Sequence, residues 1–198
     1  FYASNASEYV GIDPNSSLHK GYAEQAMFYG GHKKTRFICS PAEDADLSEY
    51  VSYFDLAFTS PPYFNAERYC KEETQSWIRY GDPNSWLEGF LFKAILNVWS
   101  SLKMGGRLIV NIADVQDSNL YVDICHQMNN FIETLPHSHY EGVIGYELAQ
   151  RIGKAHIKKG KLDENSFHKE LKPAEPMWVW SKGEQSLISF SQKELWEI

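Results

Sequence analysis

Cysteine is scarce in this sequence. The 198 residues contain only Cys39, Cys70 and Cys125, an odd number at wide intervals. That pattern excludes a framework of paired disulfides and matches no common zinc spacing. Reduced thiols of this kind point to a cytoplasmic chain. Long apolar runs are missing too: none approaches the roughly 20 residues that cross a bilayer, and no signal-peptide pattern is present. The reading is therefore a protein without a membrane partner. The seven histidines form no ligand-spaced cluster with the cysteines, so no metal is expected. Basic residues are outnumbered, and the net charge is -7. This weighs against attraction of the whole surface to nucleic acid and leaves that role to local patches. Repeats and low-complexity tracts are absent. What remains is apolar and aromatic, at 43% and 15%, enough for one globular domain with a sizeable core.

The most informative stretch runs from Phe54 to Phe64. Phe54-Asp55-Leu56-Ala57-Phe58 reads as a short buried strand. Thr59-Ser60-Pro61-Pro62-Tyr63 cannot continue it. Two successive prolines fix φ and remove two backbone donors. Pro61 also pushes Ser60 towards an extended conformation. The expected result is a stiff loop at the carboxyl end of a strand, carrying a hydroxyl, free carbonyls and an aromatic ring. In an open α/β sheet, ligands bind at that end.

Taken in order, the chain supplies a strand at Glu8–Ile12 that ends in Asp13, then Pro14-Asn15-Ser16-Ser17 as turn and cap. Leu18, Tyr22 and Ala26 predict a helix closed by Gly30-Gly31. A carboxylate at the tip of an early strand suits ribose hydroxyls, or else caps the following helix. Thr35–Cys39 predicts a second strand, running into an acidic loop with Glu43, Asp44 and Asp46. Residues 65–82 are polar and aromatic without clear period, a long loop fit for a lid or for binding. Its aromatics and arginines, Arg68 and Arg79 among them, suit base stacking and phosphate contact, or simple packing. Ser85 with Glu88 makes a capping box. The apolar positions from Trp86 to Leu102 then predict a helix that Gly105-Gly106 ends. Arg107–Asp114 predicts a strand, 119–135 an amphipathic helix, Glu175–Gly183 a strand, and Ser186–Phe190 a weaker one. Residues 151–172 carry seven basic residues against three acidic ones. They suggest a small basic substrate-contacting insertion over 136–174, with Gln150 and Arg151 near a substrate.

The Ser60-Pro61-Pro62-Tyr63 motif resembles the catalytic motif of S-adenosylmethionine-dependent DNA amino-methyltransferases, which act on cytosine N4 or adenine N6. Three further matches support the resemblance. Tyr9-Val10-Gly11-Ile12-Asp13 is similar to the second cofactor motif, whose acid holds the cofactor ribose. Lys103-Met104-Gly105-Gly106 before an apolar strand is similar to the unit after the catalytic strand. Glu175-Pro176-Met177-Trp178-Val179-Trp180-Ser181-Lys182 is similar to a late strand of the family. The glycine-rich first cofactor motif has no counterpart here, and the expectation is that it lies upstream of Phe1, so that 1–198 is one catalytic domain, incomplete at its N-terminus.

The resemblance implies an α/β fold, a Rossmann-like class I methyltransferase sheet with helices on both faces. It implies S-adenosylmethionine as cofactor, with Asp13, Thr59 and either Glu43 or Asp44 around it. It implies DNA as partner, with a restriction endonuclease or another subunit left open. Ser60, Pro61, Pro62 and Tyr63 become the catalytic set, and Phe64, Arg68 and Arg151 the substrate contacts. An exocyclic amino group is a poor nucleophile because its lone pair is delocalised into the ring. Accepting hydrogen bonds from its hydrogens, through the Ser60 hydroxyl and the Pro61 carbonyl, returns electron density to nitrogen. Tyr63 stacks on the base, which must first leave the duplex. Ser60 favours cytosine N4. The alternatives are an inactive fold that binds nucleic acid or a partner, and an amino-methyltransferase of RNA or protein.

Overall fold

The structure is a computed structural model and describes residues 4–31, 33–117, 120–147 and 174–183. Two parallel strands open the chain, β1 (Glu8–Ile12) and β2 (Lys34–Ile38), joined by a 3-10 turn and helix α1 (His19–Tyr29). Asn15 caps the turn through its side chain, which accepts from the Ser17 amide, and Gly30 closes α1. These bounds follow the sequence closely. The predicted apolar face does not find a core, because α1 has no buried residue and Leu18 is exposed.

The larger sheet holds β3 (Phe54–Thr59), β4 (Leu102–Asn111), β7 (Ser138–Glu147) and β8 (Ala174–Lys182) in the order β3-β4-β8-β7. β3 and β4 are parallel, whereas β8 runs antiparallel to both its neighbours. A small hairpin, β5 (Val115–Asp117) with β6 (Leu120–Val122), follows β4. The strand expected to be buried is only partly so. Leu56 and Phe58 of β3 are 56% and 60% exposed. Among the described residues β3 has no ladder partner on the side away from β4, which leaves this edge uncovered.

Between β3 and β4 the chain runs through α2 (Ser76–Arg79), α3 (Pro83–Trp86), a π-helical turn (Leu87–Leu91) and α4 (Phe92–Ser101). The helix starts earlier than the Ser85–Glu88 box suggested. Asp82 is the N-cap: its side chain accepts from the Ser85 amide, and Pro83 fills the first turn, where its missing N–H costs nothing. It also stops earlier. Leu102 already has extended φ and ψ and begins β4, so Gly105-Gly106 do not end the helix. They sit where the β3–β4 register shifts, Gly105 with φ of +84°. Lys182 closes the helix instead, its Nζ donating to the carbonyls of Trp99 (2.8 Å) and Leu102 (2.9 Å). A cation there meets the negative end of the helix.

The helix predicted over 119–135 is shorter, α5 (Ile124–Glu133), capped by Asp123. Leu120 belongs to β6 instead. Residues 138–147, read as part of an insertion, form β7 of the main sheet. Ser186–Phe190 lies outside the described residues. The core is built from Trp86, Leu87, Leu91, Ile95 and Trp99 on the helical segment, Leu108 and Val110 of β4 with Ile112 just after it, and Ile124, Met128 and Ile132 of α5. Among the described residues no helix is long and apolar enough to cross a membrane.

Candidate active site

A cavity of about 550 Å³ opens where the carboxyl ends of β1 and β3 meet the loop after β2. Such crevices at strand ends are the usual ligand sites of α/β sheets. Asp13, Glu43, Thr59, Ser60, Pro61 and Pro62 all line it, with Leu91 and Ile95 of the helix as apolar wall. Six of the residues singled out in the sequence thus converge on one space.

Asp13 sits one residue past β1. Its Oδ1 accepts from the Asn15 amide at 2.7 Å, and its Oδ2 from the Tyr22 hydroxyl at 2.7 Å. Burial and the Asp13 carboxylate push the Tyr22 hydroxyl up to about 12. Asp13 therefore organises the turn that Asn15 caps and is not itself the cap, and each oxygen keeps lone-pair capacity for a ligand donor.

Glu43 is the sharper feature. Its side chain is 1% exposed. Oε1 takes Arg79 Nη1 at 2.6 Å and the Tyr80 hydroxyl at 3.3 Å. Oε2 is buried and has no partner. Burial raises the Glu43 pKa above the usual carboxylate value, against the pull of its own backbone hydrogen bond and of Arg79. A buried oxygen left unpaired at a cavity wall is costly, and a ligand N–H or O–H would satisfy it. Asp44 is exposed, does not line the cavity, and holds Arg79 Nη1 at 2.7 Å. Of the two acids, Glu43 is the one on the cavity wall. Tyr80 reaches it by lying against Gly89, where an added Cβ would meet the ring at 2.3 Å.

Ser60 is exposed, and its Oγ lies 3.5 Å from Asn111 Oδ1. Pro61 is buried. The Pro62 carbonyl accepts from the Phe64 amide at 3.0 Å. Tyr63 turns away from the cavity lining. Its amide donates to Glu67 Oε2 at 3.3 Å, and its ring packs on the core. Burial, with the Glu175 and Glu67 carboxylates near its hydroxyl, pushes that hydroxyl up to about 12. Phe64 does not fit the role expected of it. It is 3% exposed, with φ of +48°, and packs edge-on against Trp86 at 6.1 Å between centroids. It is a core residue that turns the chain. Arg68 lies 5.0 Å over the Trp77 ring and donates from Nε to the Asn65 carbonyl at 3.3 Å, clear of the cavity lining. Arg151 and Gln150 lie outside the described residues.

The loop over 65–82 closes one side of the cavity through Thr74, Gln75 and Ser76. It is tied down at both ends. Glu72 accepts from the Ser16 hydroxyl at 2.7 Å and the Ser16 amide at 3.3 Å. Arg79, for which the sequence left phosphate contact and simple packing both open, is committed to Glu43 and Asp44. Sequence reasoning missed the Glu72 tie and Asn111. The polar tail Asn111 adds to an apolar strand was the available signal for the latter.

No protein-family model matches the chain, and no curated protein matches it. Solved structures do. A protein studied for the conversion of a disulfide bond into a thioacetal group during echinomycin biosynthesis matches with a TM-score of 0.50 at 10% identity, over 90% of this chain and 67% of that one. A candidate DNA modification methylase from Thermus thermophilus, solved with S-adenosyl-L-methionine, matches with a TM-score of 0.48 at 17% identity, over 78% and 57%. The 1,6-didemethyltoxoflavin-N1-methyltransferase of Burkholderia thailandensis matches with a TM-score of 0.47 at 11% identity, over 88% and 61%. The chain thus spans between 57% and 67% of these proteins' lengths. The fold is α/β and Rossmann-like.

Proposed function

We propose that the protein transfers a methyl group from S-adenosylmethionine to an exocyclic amino group of a base in DNA, cytosine N4 in preference to adenine N6. One observation carries the reading. The rigid Ser60-Pro61-Pro62 segment lies on the same cavity as Asp13 and the unpaired Glu43 oxygen. The residues fit the cofactor: Glu43 offers a buried acceptor for an adenine amino group, Asp13 an acceptor for ribose hydroxyls, and Leu91 and Ile95 an apolar wall. When bound, S-adenosylmethionine supplies an electrophilic methyl on sulfonium.

The chain's own part is positioning. Ser60 Oγ and the Pro61 carbonyl accept the two amino hydrogens, and the lone pair on nitrogen is drawn out of the ring. The two acceptors would hold nitrogen in line with the methyl carbon of the bound cofactor, whose carbon–sulfur electron pair would stay on sulfur, and the surplus proton on nitrogen would pass to water. The prolines keep both acceptors in place before the base arrives. Tyr63, half-buried beside the motif, turns its ring onto the base face when the base enters.

The test uses the full-length protein, labelled S-adenosylmethionine and unmethylated DNA, with a Ser60→Ala, Tyr63→Ala double variant as control. Label in N4-methylcytosine or N6-methyladenine, lost in the variant, supports the reaction and identifies the base. Cofactor binding without label in DNA redirects the search to RNA or protein amides. Loss of cofactor binding altogether overturns the enzyme reading and leaves an inactive fold.

A further inference from the structure

A serine hydroxyl has one proton and two lone pairs. For Ser60 to accept from an amino N–H, its own proton must point elsewhere. We infer that Asn111 is the positioning residue that takes this proton as a hydrogen bond and so presents the lone pairs of Ser60 to the substrate. The inference rests on the reaction proposed above.

The geometry points the right way. Thr59, next to Ser60, pairs with Val110, next to Asn111, so the two side chains emerge together from neighbouring strand ends. Asn111 is itself held from the other side. Its main chain pairs with Met177 of β8, and its Nδ2 donates to the Pro176 carbonyl at 3.2 Å. A donor on that carbonyl fixes which end of the amide is nitrogen. Oδ1 is therefore the end that faces Ser60, and it can only accept. The Ser60 Oγ to Asn111 Oδ1 separation is 3.5 Å, at the outer edge of a hydrogen bond. Contacts in ligand-free sites often stand long and tighten when the substrate is in place. Asn111 does not ionise, so it takes no proton from Ser60. It only sets the direction in which the hydroxyl points, and the register of three strands, β3, β4 and β8, holds it there.

The experiment compares methyl transfer by the wild type, Asn111→Ala, Asn111→Asp, Ser60→Ala and the Asn111→Ala, Ser60→Ala pair. Asn111→Ala is expected to lower kcat by about tenfold, the weight of one hydrogen bond, with the KM for the cofactor unchanged. In the Ser60→Ala background the same change is expected to cost nothing further. Asn111→Asp keeps the acceptor and loses the donor to Pro176, so it is expected to recover most of the rate. A residue that merely tied β4 to β8 would be damaged as much by Asp as by Ala. Losses that multiply in the double variant, or an Asp variant as slow as the Ala one, overturn the inference while the reaction stands. A wild type that methylates no amino group overturns both.

Discussion

The two halves of the molecule are built on different terms. Among the described residues the main apolar cluster is held by the four-stranded sheet, the helical run from Trp86 to Trp99, the hairpin and α5, and every buried member of it lies at or beyond Phe64. The unit β1–α1–β2 has no buried residue in its helix, and Met27 and Phe28 stand 86% and 80% exposed. It is joined to the rest by polar contacts: Tyr53 to Glu8, Ser16 to Glu72, and Arg36 to Glu49 and Tyr50. Yet the cavity is formed by both halves, with Asp13 from one and Ser60 from the other. A core supplies rigidity for the reacting motif, and a hydrogen-bonded seam supplies a ligand wall with little apolar area behind it. Binding at such a seam also fastens it, because a ligand that binds only the joined arrangement stabilises it.

The contrast breaks first, if it breaks, on packing. Trp86 is fully buried and its Nε1 donates to Ser76 at 3.3 Å. Trp86→Ala is expected to cost about 3–5 kcal/mol in urea unfolding, and Phe28→Ala less than about 0.5 kcal/mol. Similar losses would show that α1 has a hidden core. The seam is the next point. Arg79→Ala frees Glu43 and one end of the loop, and is expected to weaken S-adenosylhomocysteine binding by about tenfold, the value of a charge-assisted hydrogen bond. A calorimetric titration reads it, and unchanged affinity would mean that the loop tie is independent of the site. The smallest effect is electrostatic. Burial raises the Glu43 pKa in the folded state, so the folded state binds the proton more tightly than the unfolded one. The sign follows: Glu43 costs stability as pH rises from the unfolded carboxylate value through its raised folded value. Glu43→Gln is expected to melt higher than the wild type at pH 8, with the gap closing towards pH 4, while losing cofactor affinity. A gap that does not depend on pH would assign the gain to something other than charge.

Much of this arrangement was legible in the sequence, and the failures have separate causes. β1, β2, β3 and β8 are short stretches rich in apolar and β-branched residues and closed by turn residues, and those local signals located them. The Asp82–Pro83 start of the helix was written in the chain, but the Ser85–Glu88 box mimicked it three residues on. Leu102 kept helical spacing and yet opened a strand, because it pairs with Phe54 across the sheet. β7 went unread because its glycines and charges carry no period, and it is a strand by virtue of pairing with β8. Asp13, Glu43 and Ser60, which line one cavity, were singled out through local motifs. Asn111 and the Glu72 tie are contacts across 51 and 56 residues of sequence, which no window of sequence displays. Phe64 went wrong for the opposite reason: a neighbour of a motif was credited with its function, although its positive φ turns it inward.

The π-helical turn adds a constraint of length rather than of chemistry. Phe92 donates to the carbonyl of Leu87, five residues back, so one residue more than an α-helix needs is folded into the run from Pro83 to Ser101. The turn takes up that residue locally, so the helix on either side keeps its phase. Deleting any one residue between Leu87 and Leu91 would let the run close as a regular α-helix with Trp86 still facing Ser76 and Phe64, whereas deleting one residue inside α4 would turn everything before it by about 100° around the axis. The slack in the count lies at the turn and not in α4.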